Sequence, residues 1–256
     1  GLQLSQGSRI DSATSSSLPF LLDHDLGHIT ITSPHISLSG GSTITAQTSG
    51  AARGGTLYLN TPWLQQQGDK SLITTATSGY GDGGVVALFT PSSLLSLDLG
   101  AGSGISSETS SSGNGGQILL TNPSAALSIR GPGLITAAAS SSGDGGSISL
   151  SGSTVTLDQA TVSAQTTGTG RGGAISLSGT TINLLDHAKV TAQTSGTGRG
   201  GKISLTGNTI TLSDGASITT RSGDPNAAPA ATGPAGAIVI TANGPNSLHQ
   251  IGRAHV

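Results

Sequence analysis

Gly172-Gly173-Ala174-Ile175-Ser176-Leu177 decides the fold of this chain, because nearly the same phrase returns 28 residues later as Gly200-Gly201-Lys202-Ile203-Ser204-Leu205. The second glycine of the phrase, or of a reduced form of it, recurs at positions 27, 55, 84, 116, 146, 173, 201 and 236. Steps of 27 to 35 residues are typical of a solenoid, in which each unit buries its apolar face only by stacking on its neighbours.

One repeat, residues 172–199, contains three short segments in which apolar and polar residues alternate with period two. The predicted inward positions of this repeat are Ile175, Leu177, Ile182, Leu184, Val190 and Ala192. Three strands and three turns per unit predict one coil of a right-handed parallel β-helix. We therefore predict an all-β solenoid of about eight coils. The last inward position of each third strand is small, as expected where two walls of a coil converge.

The paired glycines are predicted to lie in turns, where glycine supplies a positive φ at a sharp corner. A phosphate-binding loop is the alternative, but such loops lead into a helix N-terminus, and no helix is predicted. The turn glycines are Gly54, Gly55, Gly83, Gly84, Gly115, Gly116, Gly145, Gly146, Gly172, Gly173, Gly200 and Gly201.

The composition excludes several classes of protein. The chain has 256 residues, of which 9% are charged and 2% aromatic, with a net charge of −2, so electrostatics gives no case for nucleic acid binding. It has no apolar run long enough to cross a bilayer and no cysteine for a disulfide framework. Glycine-rich and aromatic-poor chains are often disordered, but here Ile, Leu and Val recur in register, which favours an ordered solenoid.

Two recurring sets of charged residues are candidate sites. The position before the paired glycines holds Arg53, Asp82, Asp144, Arg171 and Arg199, which form either a groove for acidic or neutral glycans or a row of solvated turn charges with pairing across coils. We favour solvated turn charges, because exposed ion pairs contribute little.

Three aspartates, Asp158, Asp186 and Asp214, recur at steps of 28 residues. They form either a Ca²⁺ site or caps of their own turns, and the missing Gly-Gly-x-Gly-x-Asp repeat favours caps. The cluster Asp23-His24-Asp25-Leu26-Gly27-His28 is interpreted as polar surface in preference to a metal or acid–base site. We expect no catalytic residue, metal or cofactor.

The phrase Gly-x-Gly-Gly-x-Ile-x-Leu, followed by Thr-Ile-x-Leu-x-x-Ala-x-Val/Ile-x-Ala-x-Thr-x-Gly, resembles the repeats of filamentous-haemagglutinin-like exoproteins. The resemblance covers nearly all of residues 1–242 and is close in 144–221. It implies a bacterial adhesin that is secreted or displayed at the cell surface, exported by an outer-membrane two-partner secretion transporter. A glycan or protein receptor on a host or other surface is the further partner implied, with no nucleic acid and no insertion into a membrane.

The competing function is a β-helical polysaccharide lyase or glycoside hydrolase. Such an enzyme requires carboxylates or a basic group that converge in a few coils. Asp82, Asp144 and Asp158 are available, but their repeat-matched positions favour a role in turns, so the expected function is a non-catalytic rod.

The chain is expected to be an interior or C-terminal piece of a longer protein, with residues 1–250 forming one β-helix array without polar caps. It lacks the Asn-Pro-Asn-Gly-type motif of a secretion domain. The end, Gln250–Val256, breaks the repeat and back-translates to CAG ATC GGA AGA GCA CAC GTC, which resembles a common sequencing adapter. We expect Ile251–Val256 to be adapter read-through, not native sequence; an ordinary polar C-terminus is the alternative.

Overall fold

The structure, a computed structural model, describes residues 1–15, 27–122, 124–223, 233–245 and 248–251. In these ranges the protein is all-β, with 25 strands in three parallel sheets and no helix, which confirms the predicted β-solenoid with three strands per coil. Since these ranges contain no helix, they contain no candidate membrane-spanning helix.

Each coil contributes one strand to each sheet. Sheet I, which follows the paired glycines, contains β3 (His28–Thr32), β6 (Thr56–Asn60), β9 (Val85–Phe89), β12 (Gln117–Asn122), β15 (Ser147–Gly152), β18 (Ala174–Ser178), β21 (Lys202–Gly207) and β24 (Ala237–Ala242). Sheet II contains β1 (Leu2–Leu4), β4 (Ile36–Ser39), β7 (Trp63–Gln67), β10 (Leu94–Leu99), β13 (Ala126–Arg130), β16 (Thr154–Asp158), β19 (Thr181–Leu185), β22 (Thr209–Ser213) and β25 (Leu248–Ile251). Sheet III contains β2 (Arg9–Asp11), β5 (Thr43–Thr45), β8 (Leu72–Thr74), β11 (Gly104–Ser106), β14 (Leu134–Thr136), β17 (Thr161–Ser163), β20 (Lys189–Thr191) and β23 (Ser217–Thr219).

The coils lie in register, so equivalent aliphatic residues form continuous files along the axis. Ile148 pairs with Ile175, and Ile175 pairs with Ile203. All three side chains are buried. The same holds in sheets II and III, where Val155 pairs with Ile182 and Val162 with Val190. Stacking of these files gives the molecule one continuous apolar interior.

The small residue at the end of the third strand is fully buried in six coils, as predicted, whereas its equivalent in the last coil, Thr220, is only half-buried. In those six coils the small residue faces the paired glycines, because its carbonyl accepts the backbone N–H of the second glycine. Ala164 accepts from Gly173 at 2.7 Å and Ala192 from Gly201 at 2.8 Å. The equivalent small residues are Ala46, Thr75, Ser107, Ala137, Ala164 and Ala192. A larger side chain would have no room in this corner.

The predicted conformation of the paired glycines is wrong, because none of them lies in the left-handed region. They are required by the closeness of neighbouring coils. A Cβ on Gly172 would lie 2.6 Å from the backbone nitrogen of Gly201, and one on Gly173 would lie 2.6 Å from the carbonyl carbon of Gly145. Real Cβ atoms do not approach backbone this closely, so only glycine fits.

The left-handed residues are concentrated at another corner, between sheets II and III. Gln159, Asp186, His187 and Asp214 have φ values of 63°, 41°, 64° and 52°. Asp is one of the few residues other than glycine that tolerates this conformation. This corner therefore needs the positive φ that the sequence analysis assigned to the paired glycines.

A fourth ladder, one residue wide, was not predicted. It consists of Thr14, Thr48, Thr77, Thr109, Ala139, Thr166, Thr194 and Ser222, which form parallel bridges from coil to coil. Several of these hydroxyls bond back to the turn: Thr48 Oγ1 donates to the Arg53 carbonyl at 3.0 Å and Thr77 Oγ1 to that of Asp82 at 2.8 Å. The ladder fixes the path of the glycine-rich turn.

Sheet II contains the main departure from the repeat. The first inward residue of β7 is Leu64, and the first inward residue of β10 is Leu95. Leu64 nevertheless pairs with Leu97, so β10 is displaced by two residues from the alignment that would pair Leu64 with Leu95. Gln66, the second inward residue of β7, is fully buried, and its side-chain amide nitrogen donates to the carbonyls of Ser71 and Gly104, each at 3.1 Å.

The final strand, β25, reaches Ile251, which pairs with Ser213. The other residues of the predicted adapter-derived tail, 252–256, lie outside the described residues. Its non-native origin remains a prediction.

Candidate functional site

A straight groove follows the paired glycines along the rod and has a volume of about 750 Å³. We call it the glycine trough. The glycines form its floor, and one rim is the column before them, with Arg53, Asp82, Asp144, Arg171 and Arg199. The other rim is the column after them, which includes Gln117, Ser147, Ala174 and Lys202. The structure thus brings all five residues of the first charged set to one groove.

The acidic residues of the rim act on the backbone of the next coil. Asp82 Oδ1 accepts the N–H of Asn114 at 2.7 Å, and Asp144 Oδ1 accepts the N–H of Arg171 at 2.7 Å. Asn114 repeats this contact with the N–H of Asp144 at 2.9 Å. The pairing across coils that was expected for this set is absent from the described residues, since neither Arg53 and Asp82 nor Asp144 and Arg171 form an ion pair. The described residues contain one Arg–Asp ion pair, Arg9–Asp11 at 2.9 Å, and a contact between His187 and Asp186 that is ionic only when the imidazole is protonated.

The basic residues of the rim are exposed. Arg53 Nε donates to the Gly83 carbonyl at 3.3 Å. Arg171, Arg199 and Lys202 form no ion pair within 4.0 Å with any described residue. Four of the ten lysines and arginines of the chain therefore line one groove. Three of them are grouped in the last described coils.

The second charged set forms a column only in part, because Asp186 and Asp214 occupy equivalent positions in adjacent coils and Asp158 does not. Asp158 pairs with Leu185 because its corner is one residue shorter, and the side chain that reaches Asp186 is Gln159, whose Nε2 donates to Oδ2 at 2.6 Å. His187 Nδ1 lies 2.9 Å from Asp186 Oδ1. Hydrogen bonds from His187 and then from Gln159 lower the pKa of Asp186. The Asp186 carboxylate therefore binds the side chains of Gln159 and His187. Among the described residues, no group of three His, Cys, Asp or Glu side chains is placed to hold a metal ion.

A second groove, of about 510 Å³, follows the threonine ladder across the first coils. Its only described acidic lining residue is Glu108, which the sequence analysis missed. Burial raises the pKa of Glu108, against the opposing effect of hydrogen bonds with Thr136 and Ser106. A signal was present in the sequence, since the position of Glu108 is Gln or Ala in most other coils, and its only other charged occupant is Arg221. The uncharged equivalents are Ala13, Gln47, Ala76, Ala138, Gln165 and Gln193.

Two aromatic side chains each pack against a histidine of the preceding coil. Trp63 stacks on His35 with ring centroids 4.5 Å apart, and its Nε1 lies 3.4 Å from Asp98 Oδ2. The ring centroids of His28 and Tyr58 lie 5.2 Å apart. The Trp63 ring is stacked on an adjacent coil, so the pair is surface packing between coils. Asp23, His24 and Asp25 of the predicted polar cluster lie outside the described residues.

No protein-family model, curated protein or solved structure matches the chain. The β-helix itself is compatible with an adhesin stalk and with an enzyme that acts on polysaccharides. The two functions must therefore be distinguished by the side chains of the trough.

Proposed function

We propose that this chain is a structural rod of a large adhesin-like exoprotein that is secreted or displayed at the bacterial cell surface. The continuous stacking of the three sheets, such as the file Ile148, Ile175 and Ile203, supports a rod-shaped molecule, and the side chains of the trough favour a rod over an enzyme. Each coil adds about 4.8 Å, so eight coils extend about 40 Å. A stack of this kind provides length and stiffness from a short repeat.

The chemistry of the sides also favours a rod. Outward positions of sheet I are mostly small and polar, for example Ser147, Ser149 and Ser176. The carboxylates of the rim, Asp82 and Asp144, bind backbone N–H groups of the next coil, which suits residues that hold the coils together.

Export by two-partner secretion follows from the resemblance of the repeats, and two observations test it. The flanking gene sequence should encode a secretion domain upstream, or a transporter gene nearby. Antibodies against residues 1–251 should label intact cells of the source organism, and external protease should remove the label. Labelling only after permeabilisation would contradict surface display.

An enzyme acting on an acidic polysaccharide is the second candidate, because Asp82, Asp144 and Arg171 line the same trough. Hydrolysis requires a pair of carboxylates, and a lyase requires a basic group that abstracts a proton. The test is incubation of the purified chain with polygalacturonate and other linear glycans. The rod predicts no new reducing ends and no unsaturated product; their appearance, lost in D82N and D144N, would establish the enzyme.

A further inference from the structure

We infer that the trough between Arg171, Arg199 and Lys202 binds a linear polysaccharide carrying acidic groups along its chain. This inference adds a ligand site to the rod and does not depend on its proposed role as a spacer. It rests on three features of the described residues: the shape of the groove, the hydrogen bonds of its floor and the charges of its rim.

The shape suits an extended, unbranched ligand. Both glycine columns lack side chains, so the trough is open along its length and is bounded only by the side chains of its two rims, and it extends across several coils. Equivalent rim residues, such as Arg171 and Arg199, lie one coil apart, about 4.8 Å at the backbone. This spacing is comparable with the length of one sugar unit. Consecutive coils can therefore contact consecutive units.

The floor excludes an added β-strand as the ligand. The Gly172 N–H donates to the Arg199 carbonyl at 2.9 Å, and the Gly201 N–H donates to the Ala192 carbonyl at 2.8 Å. The Gly173 carbonyl accepts the N–H of Lys202 at 2.9 Å. A peptide strand needs free backbone groups to pair with. Recognition must come from the rim side chains.

The rim selects for negative charge at one end. Arg171, Arg199 and Lys202 are exposed and have no carboxylate partner within 4.0 Å among the described residues, on a chain whose net charge is −2. Guanidinium groups bind carboxylate and sulfate in a bidentate manner. Nucleic acid is a poorer occupant, because none of the described residues that line the trough is aromatic and bases would have no ring on which to stack. An acidic polysaccharide satisfies both the shape and the charge.

The test measures binding of fluorescently labelled oligosaccharides to the purified chain by anisotropy. The probes are an oligogalacturonate, a sulfated oligosaccharide of similar length and a neutral dextrin. We expect at least one acidic probe to bind, with an affinity that decreases as salt is added, and no binding of the dextrin. Binding of the carboxylated or of the sulfated probe alone would identify which acidic group the trough accepts.

Two matched sets of variants locate the site. R171Q/R199Q should weaken binding about tenfold or more, since it removes two charge-assisted contacts. R130Q/K189Q removes the same charge from exposed positions outside the trough and should change the affinity less than about twofold. A174W should block the trough through its wall, whereas S176W, on the same exposed face of β18, should not.

Equal binding of the dextrin, failure of both acidic probes, or equal losses in the two charge variants would overturn the inference. Circular dichroism of each variant establishes whether it is folded. If R171Q/R199Q does not fold, comparison of A174W with S176W decides the question. None of these outcomes bears on the rod, which cell-surface labelling and the flanking genes test separately.

Discussion

At the scale of single residues, the paired glycines are required because the backbones of neighbouring coils lie too close for a Cβ, and not because the chain needs a positive φ there. The backbone of each coil fills the space where a Cβ would lie on its neighbour, as at Gly145 and Gly173, where the added Cβ of Gly145 would lie 2.5 Å from the Gly173 nitrogen. These positions therefore exclude every residue that has a Cβ, including Asn, which often replaces glycine in left-handed turns.

This difference gives the first prediction. Gly173→Ala and Gly173→Asn should both destabilise the chain by about 2–3 kcal/mol or more, because a Cβ meets the backbone of the preceding coil. Gly68→Asn should cost less than about 1 kcal/mol, since Gly68 has φ +78° and a Cβ there would lie 3.7 Å from its nearest neighbour. Denaturant unfolding measures all three, and tolerance of Gly173→Asn would show that conformation, not closeness, selects the glycine.

Glu108 gives a prediction for pH. Burial raises its pKa, so the folded chain binds this proton more tightly than the unfolded chain does. Its contribution to stability is therefore complete below the ordinary pKa of Glu and is lost as pH rises through the raised value. In Glu108→Gln, the free energy of unfolding should decrease less over this range of pH than in the natural chain.

Glu108→Gln is a matched substitution, because Gln47, Gln165 and Gln193 occupy the equivalent position in other coils. Asp186→Asn serves as the opposite control. The pKa of Asp186 is lowered by its hydrogen bond with His187, so its contribution is present above the ordinary pKa of Asp and lost as pH falls through the lowered value. Identical pH profiles for the natural chain and Glu108→Gln would contradict the burial of this carboxyl group.

At the scale of the strands, the aliphatic files carry the stability. Ile175 is buried between Ile148 and Ile203, so Ile175→Ala should cost about 3 kcal/mol, whereas Ser176→Ala, on the exposed face of the same strand, should cost less than about 0.5 kcal/mol. Hydrogen exchange should show the largest loss of protection in β15, β18 and β21, because each coil contacts only its neighbours. Equal costs for the two variants would place Ile175 outside the core.

The strands of the regular coils could be predicted from sequence, because Ile175 and its equivalents keep both their period of two and their spacing from the glycines. The strand β7 was missed, since its inward residues are Leu64 and Gln66, and a buried Gln cannot be recognised by apolar periodicity. The threonine ladder was missed because a bridge of one residue shows no alternation of apolar and polar residues along the chain. A constant interval of five residues, as between Thr48 and Arg53, was its signal.

The candidate site was predictable only in part. The sequence placed Arg53, Asp82, Asp144, Arg171 and Arg199 in one column, which the structure places on one rim. It did not indicate that Lys202 lies on the opposite rim of the same trough. It also aligned Asp158 with Asp186, whereas a corner shorter by one residue changes the register between them. Spacing along a chain predicts stacking only where the intervening turns have equal length.

At the scale of the whole molecule, everything depends on successive coils lying one above another in register. The chain has no cysteine, so introduced pairs can report this without interference. Ser149 pairs with Ser176 across adjacent coils, and both side chains are outward. Their Cα separation of about 4.8 Å is suitable for a disulfide, whereas Ser149 and Ser178 should be more than about 7 Å apart.

The most direct test is therefore disulfide formation in S149C/S176C compared with S149C/S178C, measured by mass spectrometry after mild oxidation of the folded chain. The register predicts a rapid, nearly complete cross-link in S149C/S176C and little in S149C/S178C. Equal cross-linking in the two pairs, or a faster reaction in S149C/S178C, would contradict the stacking of these coils.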